Sequence, residues 1–138
     1  MPEQRHIKAV AAKIGLDGHY RGIKFVARSL TEIGAEVVYL GANQHVEQVV
    51  AAAVQEDADL IALSFLSPDY RQHVPALMEK LRAAGAGQVV VVVGGLISES
   101  DVPMLTAAGV SRIFGPGTTS KDIAGFVSDT FSGARTGA

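Results

Sequence analysis

A short loop that holds a histidine and an aspartate offers the clearest chemistry in this sequence. Residues 13–22 read Lys-Ile-Gly-Leu-Asp-Gly-His-Tyr-Arg-Gly, which contains the pattern Asp-x-His-x-x-Gly at Asp17, His19 and Gly22. An imidazole is a common metal ligand, and a carboxylate on its other ring nitrogen fixes the tautomer and raises the basicity of the ligand. Lys13 can pair with Asp17 in turn, which gives a chain of metal, histidine, aspartate and lysine. A polar loop with a solvated histidine explains the same pattern when it is taken alone.

Small and hydroxyl-bearing residues follow three apolar runs further along the chain. The first run ends in Ser64 and Leu66, the second in Gly94 and Gly95, and the third in a segment from Gly115 to Thr118. A hydroxyl can bond the ring nitrogen of a heterocycle, and glycines let a flat ring approach the backbone. Turns and helix caps use the same residue types, so each segment alone is a weak signal.

Alternating strand and helix patterns predict where these residues lie. Apolar runs predict strands at residues 7–13, 36–40, 60–64, 88–93 and 110–114, and amphipathic patterns predict helices at 22–33, 46–55, 70–84, 99–108 and 120–130. Five β-then-α units favour one doubly wound, flavodoxin-like α/β domain with a five-stranded parallel sheet in the order 2-1-3-4-5. Strands 1, 3 and 4 are then neighbours, so the loop of His19, Ser64 and the glycine pair would share the carboxyl edge of the sheet.

Composition excludes several classes of function. The 138 residues are 48% hydrophobic and 19% charged, which predicts one folded domain over residues 1–138 with a small polar tail at 132–138 that frays. The formal net charge is −2, so neither a nucleic acid nor an anionic membrane is an expected partner. Disulfides and cysteine-based sites are excluded because the chain has no cysteine. No apolar run reaches the roughly 20 residues that span a bilayer, and no signal sequence is recognised, so we expect a cytoplasmic protein.

At the residues quoted above, the sequence resembles the cobalamin-binding domain of the methylmalonyl-CoA mutase family. The family signature is Asp-x-His-x-x-Gly, then Ser-x-Leu, then Gly-Gly, and all three elements occur here in that order and at that spacing. The resemblance implies that His19 is the lower axial ligand of cobalt, in the base-off, His-on mode, with Asp17 and Lys13 as the relay behind it. It also implies that Gly22 belongs to the cofactor site and that the slot for the cofactor's dimethylbenzimidazole tail is formed by Ser64, Leu66, Gly94, Gly95, Gly115 and Thr118.

The resemblance further implies a reaction and a partner. In this family the acyl-CoA substrate sits in a TIM barrel over the upper face of the corrin, so the expected partner is a large TIM-barrel subunit that binds the acyl-CoA. The expected reaction is a 1,2 carbon-skeleton rearrangement, begun by homolysis of the cobalt–carbon bond of adenosylcobalamin. This chain is expected to be inactive alone. Methylmalonyl-, isobutyryl- and 2-hydroxyisobutyryl-CoA mutases all include split forms, and the sequence leaves the choice among them open.

One segment departs from the family pattern. After Ser-x-Leu, many members continue with small residues and then a histidine, whereas this chain has Pro68, Asp69 and Tyr70. These residues are bulkier and differently charged, and they are expected close to the edge of the corrin.

Other classes of protein share parts of the pattern. A methyl-carrying corrinoid protein usually has a helical cap domain before this fold, for which we expect no room ahead of Ile7, and a cobalamin-sensing regulator lacks support from a DNA-binding segment. A phospho-acceptor receiver needs an acidic cluster after strand 1 and an aspartate at the end of strand 3, where this chain has Ser64.

Overall fold

A computed structural model of the protein describes residues 6–14 and 21–136. The described elements, in chain order, are β1 (Lys8–Ile14), α1 (Arg21–Glu32), β2 (Glu36–Gln44), α2 (Val46–Gln55), β3 (Leu60–Phe65), α3 (Tyr70–Ala83), β4 (Val90–Gly95), a 3-10 turn (Glu99–Asp101), α4 (Val102–Ala108), β5 (Arg112–Phe114) and α5 (Ser120–Thr136). Within these described ranges, no helix is both long enough and apolar enough to cross a membrane.

The five strands form one parallel sheet in the order β2-β1-β3-β4-β5, which confirms the predicted fold class. Strand β1 pairs with both β2 and β3, and the register places Ala9 beside Leu60 and Leu60 beside Val90. Because all strands are parallel, their carboxyl ends meet at one edge of the sheet.

Helices cover both faces of the sheet. Helices α2, α3 and α4 pack on one face, where Val91 and Val93 of β4 are fully buried. Helices α1 and α5 pack on the other face, where Val92 is 5% exposed. The β-branched run of β4 therefore contributes side chains to both core layers, as expected of a central parallel strand.

Some boundaries differ from the prediction. Strand β3 extends to Phe65, and β4 runs from Val90 to Gly95 instead of over residues 88–93, because Ser64 pairs with Gly94 and Phe65 pairs with Gly95. The predicted fourth helix is a 3-10 turn followed by a shorter α-helix with Pro103 in its first turn, where a residue without an N–H is tolerated. Helix α5 continues to Thr136 and so includes residues assigned above to the tail; the fraying of that end stays a prediction.

Candidate functional site

A groove opens at the carboxyl edge of the sheet, between the first turns of α1 and α5 and the ends of β3, β4 and β5. The cavity has a volume of about 510 Å³. Seven of the residues predicted from the sequence line it: Gly22, Ser64, Leu66, Gly94, Gly95, Gly115 and Thr118. The structure thus brings together residues from four separate segments of the chain. Asp17 and His19 lie outside the described residues.

Apolar residues that the sequence analysis did not assign to the site form much of the groove wall. Phe25 and Val26 come from α1, Leu96 follows β4, and Phe114 ends β5. Phe114 is fixed by an edge-to-face contact with Phe126, with the ring centroids 5.8 Å apart. Val26 packs against the core from α1, but nothing in the sequence shows which end of the apolar face of this helix remains open.

Lys13 lies inside the protein, at the end of β1. Its side chain is fully buried, and its Nζ donates a hydrogen bond to the carbonyl oxygen of Ser64 at 3.0 Å. A buried ammonium group requires such acceptors, because desolvation without them is costly. Lys13 therefore connects β1 to the end of β3, immediately before the loop that carries the motif. Its predicted pairing with Asp17 involves a residue outside the described ranges and stays a prediction.

Ser64 faces the start of α1. Its side chain is buried at 6% exposure, and a Cβ added to Gly22 would lie 3.2 Å from the Ser64 Oγ. That distance is short for a carbon–oxygen contact, so the last glycine of the motif lets the first turn of α1 pass close to the hydroxyl. The close packing of α1 against Ser64 therefore favours glycine at position 22.

Gly94 and Gly95 have different roles in the packing of the sheet. A Cβ at Gly95 would lie 1.9 Å from the carbonyl oxygen of Phe65, and the residue has φ +110°, so glycine is required there by the backbone itself. A Cβ at Gly94 would lie 3.2 Å from the carbonyl oxygen of Phe114. The sheet therefore requires glycine at position 95 and leaves little room for a side chain at position 94, and the contact of both glycines with a bound ring stays a prediction.

The segment after β5 closes the groove with a tight turn. The Thr118 Oγ1 donates to the carbonyl oxygen of Gly115 at 2.7 Å, and Gly117 has φ +89°. A Cβ at Gly115 would meet no protein atom within 4 Å. Unlike the glycine pair of β4, Gly115 is therefore not required by the packing of the protein around it.

Tyr70, which was expected near the corrin edge, is a buried residue, and its distance from the corrin stays a prediction. Its side chain is 2% exposed and packs edge-to-face against Phe65, with the ring centroids 6.0 Å apart. Tyr70 is a core residue because its ring fills the space beneath the end of β3. Asp69 precedes α3 and accepts a hydrogen bond from the Ser67 hydroxyl at 2.7 Å, and Pro68 is exposed.

Comparisons with known proteins show the family of this chain. The family model described as the B12 binding domain matches residues 7–124. The chain is 48% identical to the pivalyl-CoA mutase small subunit of Xanthobacter autotrophicus, over 86% of this chain and 80% of that protein. It is 38% identical to the 2-hydroxyisobutanoyl-CoA mutase small subunit of Aquincola tertiaricarbonis, over 80% of this chain and 82% of that protein.

A solved structure supports the fold. The crystal structure of a cobalamin-binding protein from Desulfitobacterium hafniense superimposes with a TM-score of 0.76 at 21% identity, over 91% of this chain and 59% of that one. At this identity the likeness shows the shared fold alone. The family match covers β1 to the start of α5 and thus every segment that lines the groove. The chain belongs to the B12-binding domain family, as the motif at Asp17, His19 and Gly22 predicted.

Proposed function

We propose that this chain is the cobalamin-binding small subunit of an adenosylcobalamin-dependent acyl-CoA mutase. The observation that carries the proposal is the largely apolar, glycine-containing groove at the carboxyl edge of the sheet, in a chain of the B12-binding domain family. Its similarity to two acyl-CoA mutase small subunits, over most of their length, supports the same function.

The groove fits a planar, mostly apolar group with few hydrogen-bonding atoms. Phe25, Val26 and Phe114 supply apolar walls, and the buried Ser64 hydroxyl supplies a polar atom. Its volume of about 510 Å³ lies within the range of roughly 300–1,000 Å³ for small-molecule sites. We infer that the dimethylbenzimidazole tail of cobalamin occupies this groove, with Ser64 as its hydrogen-bond partner and Gly115 leaving space for the ring.

The roles of His19 and Asp17 rest on the motif, and Lys13 gives them structural support. Lys13 is held at the end of β1 by the carbonyl oxygen of Ser64, so a cation is fixed next to the start of the motif loop. We propose that Asp17 orients His19 and that His19 ligates cobalt in the base-off, His-on mode. Bound adenosylcobalamin supplies the radical chemistry, and the residues of this chain bind and orient it.

Three large apolar side chains are exposed at the rim of the groove. Phe25 is 40% exposed, Leu66 is 39% exposed and Leu96 is 59% exposed, and all three line the same cavity. Contiguous apolar surface of this kind is typical of a binding site. We propose that the corrin and a large TIM-barrel subunit cover this rim and that the large subunit binds the acyl-CoA.

Mixing experiments test the proposed assembly. The purified chain loaded with adenosylcobalamin should not rearrange methylmalonyl-, isobutyryl-, pivalyl- or 2-hydroxyisobutyryl-CoA, because the acyl-CoA site is proposed to lie on the partner. Activity on one of these substrates should appear when a large acyl-CoA mutase subunit is added, as measured by chromatography of the CoA esters. Rearrangement of any of them by this chain alone would contradict the split-enzyme proposal.

A further inference from the structure

The loop after β4 carries part of the groove wall and is attached to the end of β3. Leu96, in this loop, lines the groove with a side chain that is 59% exposed. Its backbone N–H donates to the carbonyl oxygen of Phe65 at 2.9 Å. Because the exposed side chain makes few contacts with the protein, the backbone attachments of the loop determine where it lies.

A second attachment comes from Tyr70, the first residue of α3. Its hydroxyl accepts a hydrogen bond from the backbone N–H of Ser98 at 3.1 Å and donates one to Asp101 Oδ2 at 2.5 Å. The ring itself is buried against Phe65. The loop from Leu96 to Ser98 is therefore tied at one end to β3 and at the other to a core tyrosine.

Arg71 completes this arrangement. Its Nε donates to the same Asp101 oxygen at 2.7 Å. The Tyr70 hydroxyl and then the Arg71 guanidinium hold the pKa of Asp101 below its usual value, so the carboxylate stays charged at neutral pH. Hydrogen bonds to an ionised carboxylate are stronger than those between neutral groups. We call Tyr70, Arg71 and Asp101 the brace.

We propose that the brace is a positioning device for the cofactor, in which Tyr70 holds the loop of Leu96 as a preformed wall of the groove. This inference rests on the proposed function. Two residues of the brace, Tyr70 and Arg71, lie in or directly after the segment where the chain departs from the family pattern. A preformed wall favours binding because the loop loses its conformational entropy when the protein folds and not when the ligand binds.

Removal of the Tyr70 hydroxyl tests the brace. In Tyr70→Phe the ring keeps its core contacts, and the loop loses its second attachment. We expect the dissociation constant for hydroxocobalamin to rise about tenfold, in line with the loss of a hydrogen-bonded attachment. Tyr39→Phe is the matched control, because Tyr39 lies on β2, is 42% exposed and does not line the groove. Its dissociation constant should equal that of the wild type.

Amide hydrogen exchange separates positioning from a general loss of stability. In Tyr70→Phe the Ser98 amide should exchange about tenfold faster, and its acceleration should exceed that of the Leu63 amide in β3. Equal acceleration at both amides, or equal cobalamin affinity in Tyr70→Phe and Tyr39→Phe, would overturn the inference. Failure of the wild-type protein itself to bind hydroxocobalamin would instead overturn the proposed function.

Discussion

Replacement of Gly95 by alanine is expected to destabilise the protein by about 3 kcal/mol or more, because strain and overpacking act together. The new Cβ would lie 1.9 Å from the carbonyl oxygen of Phe65 and 3.0 Å from its nitrogen, and the residue has φ +110°. These neighbours are backbone atoms of a central strand, so they cannot move aside without disturbing the pairing of β3 with β4. Urea unfolding followed by far-UV circular dichroism measures the loss.

Gly34→Ala is the control for Gly95→Ala. Gly34 also has a positive φ, of +92°, but a Cβ there meets nothing within 4 Å. The free energy of unfolding of Gly34→Ala should therefore fall only by the cost of the backbone conformation, on the order of 1 kcal/mol, because the new Cβ collides with nothing. A Gly95→Ala protein that is no less stable than Gly34→Ala would contradict the packing described at the end of β3.

Replacement of Gly115 by leucine is expected to weaken cobalamin binding by about 100-fold, or ~2.7 kcal/mol, with little change in stability. Gly115 lines the groove, and a Cβ there meets no protein atom within 4 Å. The leucine side chain can therefore extend into the space proposed for the cofactor tail without disturbing the sheet. Titration with hydroxocobalamin, followed by visible absorbance, measures the loss.

Gly125→Leu is the matched control for Gly115→Leu. Gly125 lies on α5, is exposed, does not line the groove and likewise has no atom within 4 Å of an added Cβ. The two variants add the same side chain at open positions, so any difference in their cobalamin affinity is due to the position of Gly115 in the groove. Gly94 is less suitable for this test, because a Cβ there would press on the carbonyl oxygen of Phe114 at 3.2 Å. Equal affinity in the two leucine variants would exclude Gly115 from the cofactor site.

The strand order and the central strand could be predicted because their signals are local. The valine run of β4 and the five β-then-α units are visible in the sequence, and helix α2 has the predicted bounds. The start of α2 is marked by Gln48, whose side chain accepts a hydrogen bond from the backbone N–H of His45 at 2.7 Å. A short-range contact of this kind leaves a sequence signal.

The role of Tyr70 could not be predicted from the sequence. Its position at the start of an amphipathic helix does not reveal that its ring packs on Phe65 or that its hydroxyl reaches Asp101, 31 residues away. The same limit applies to Leu96, whose part in the groove depends on the approach of α1 to the ends of β3 and β4. The roles of these residues depend on contacts between segments that are distant in the chain, and a periodic sequence pattern does not indicate such contacts.

The most direct test of the account is a spectrum of the cobalt ligand in the wild-type protein. The chain is prepared with ¹⁵N-histidine, bound to cobalamin and reduced to the Co(II) state. The electron paramagnetic resonance spectrum should then show each cobalt line split into a doublet by one ¹⁵N nucleus, where unlabelled protein gives a triplet. His19→Ala should lose this protein-derived splitting. A triplet that persists in the labelled wild-type protein would show that the cofactor's own base ligates cobalt, and it would contradict the assignment of His19 as the axial ligand.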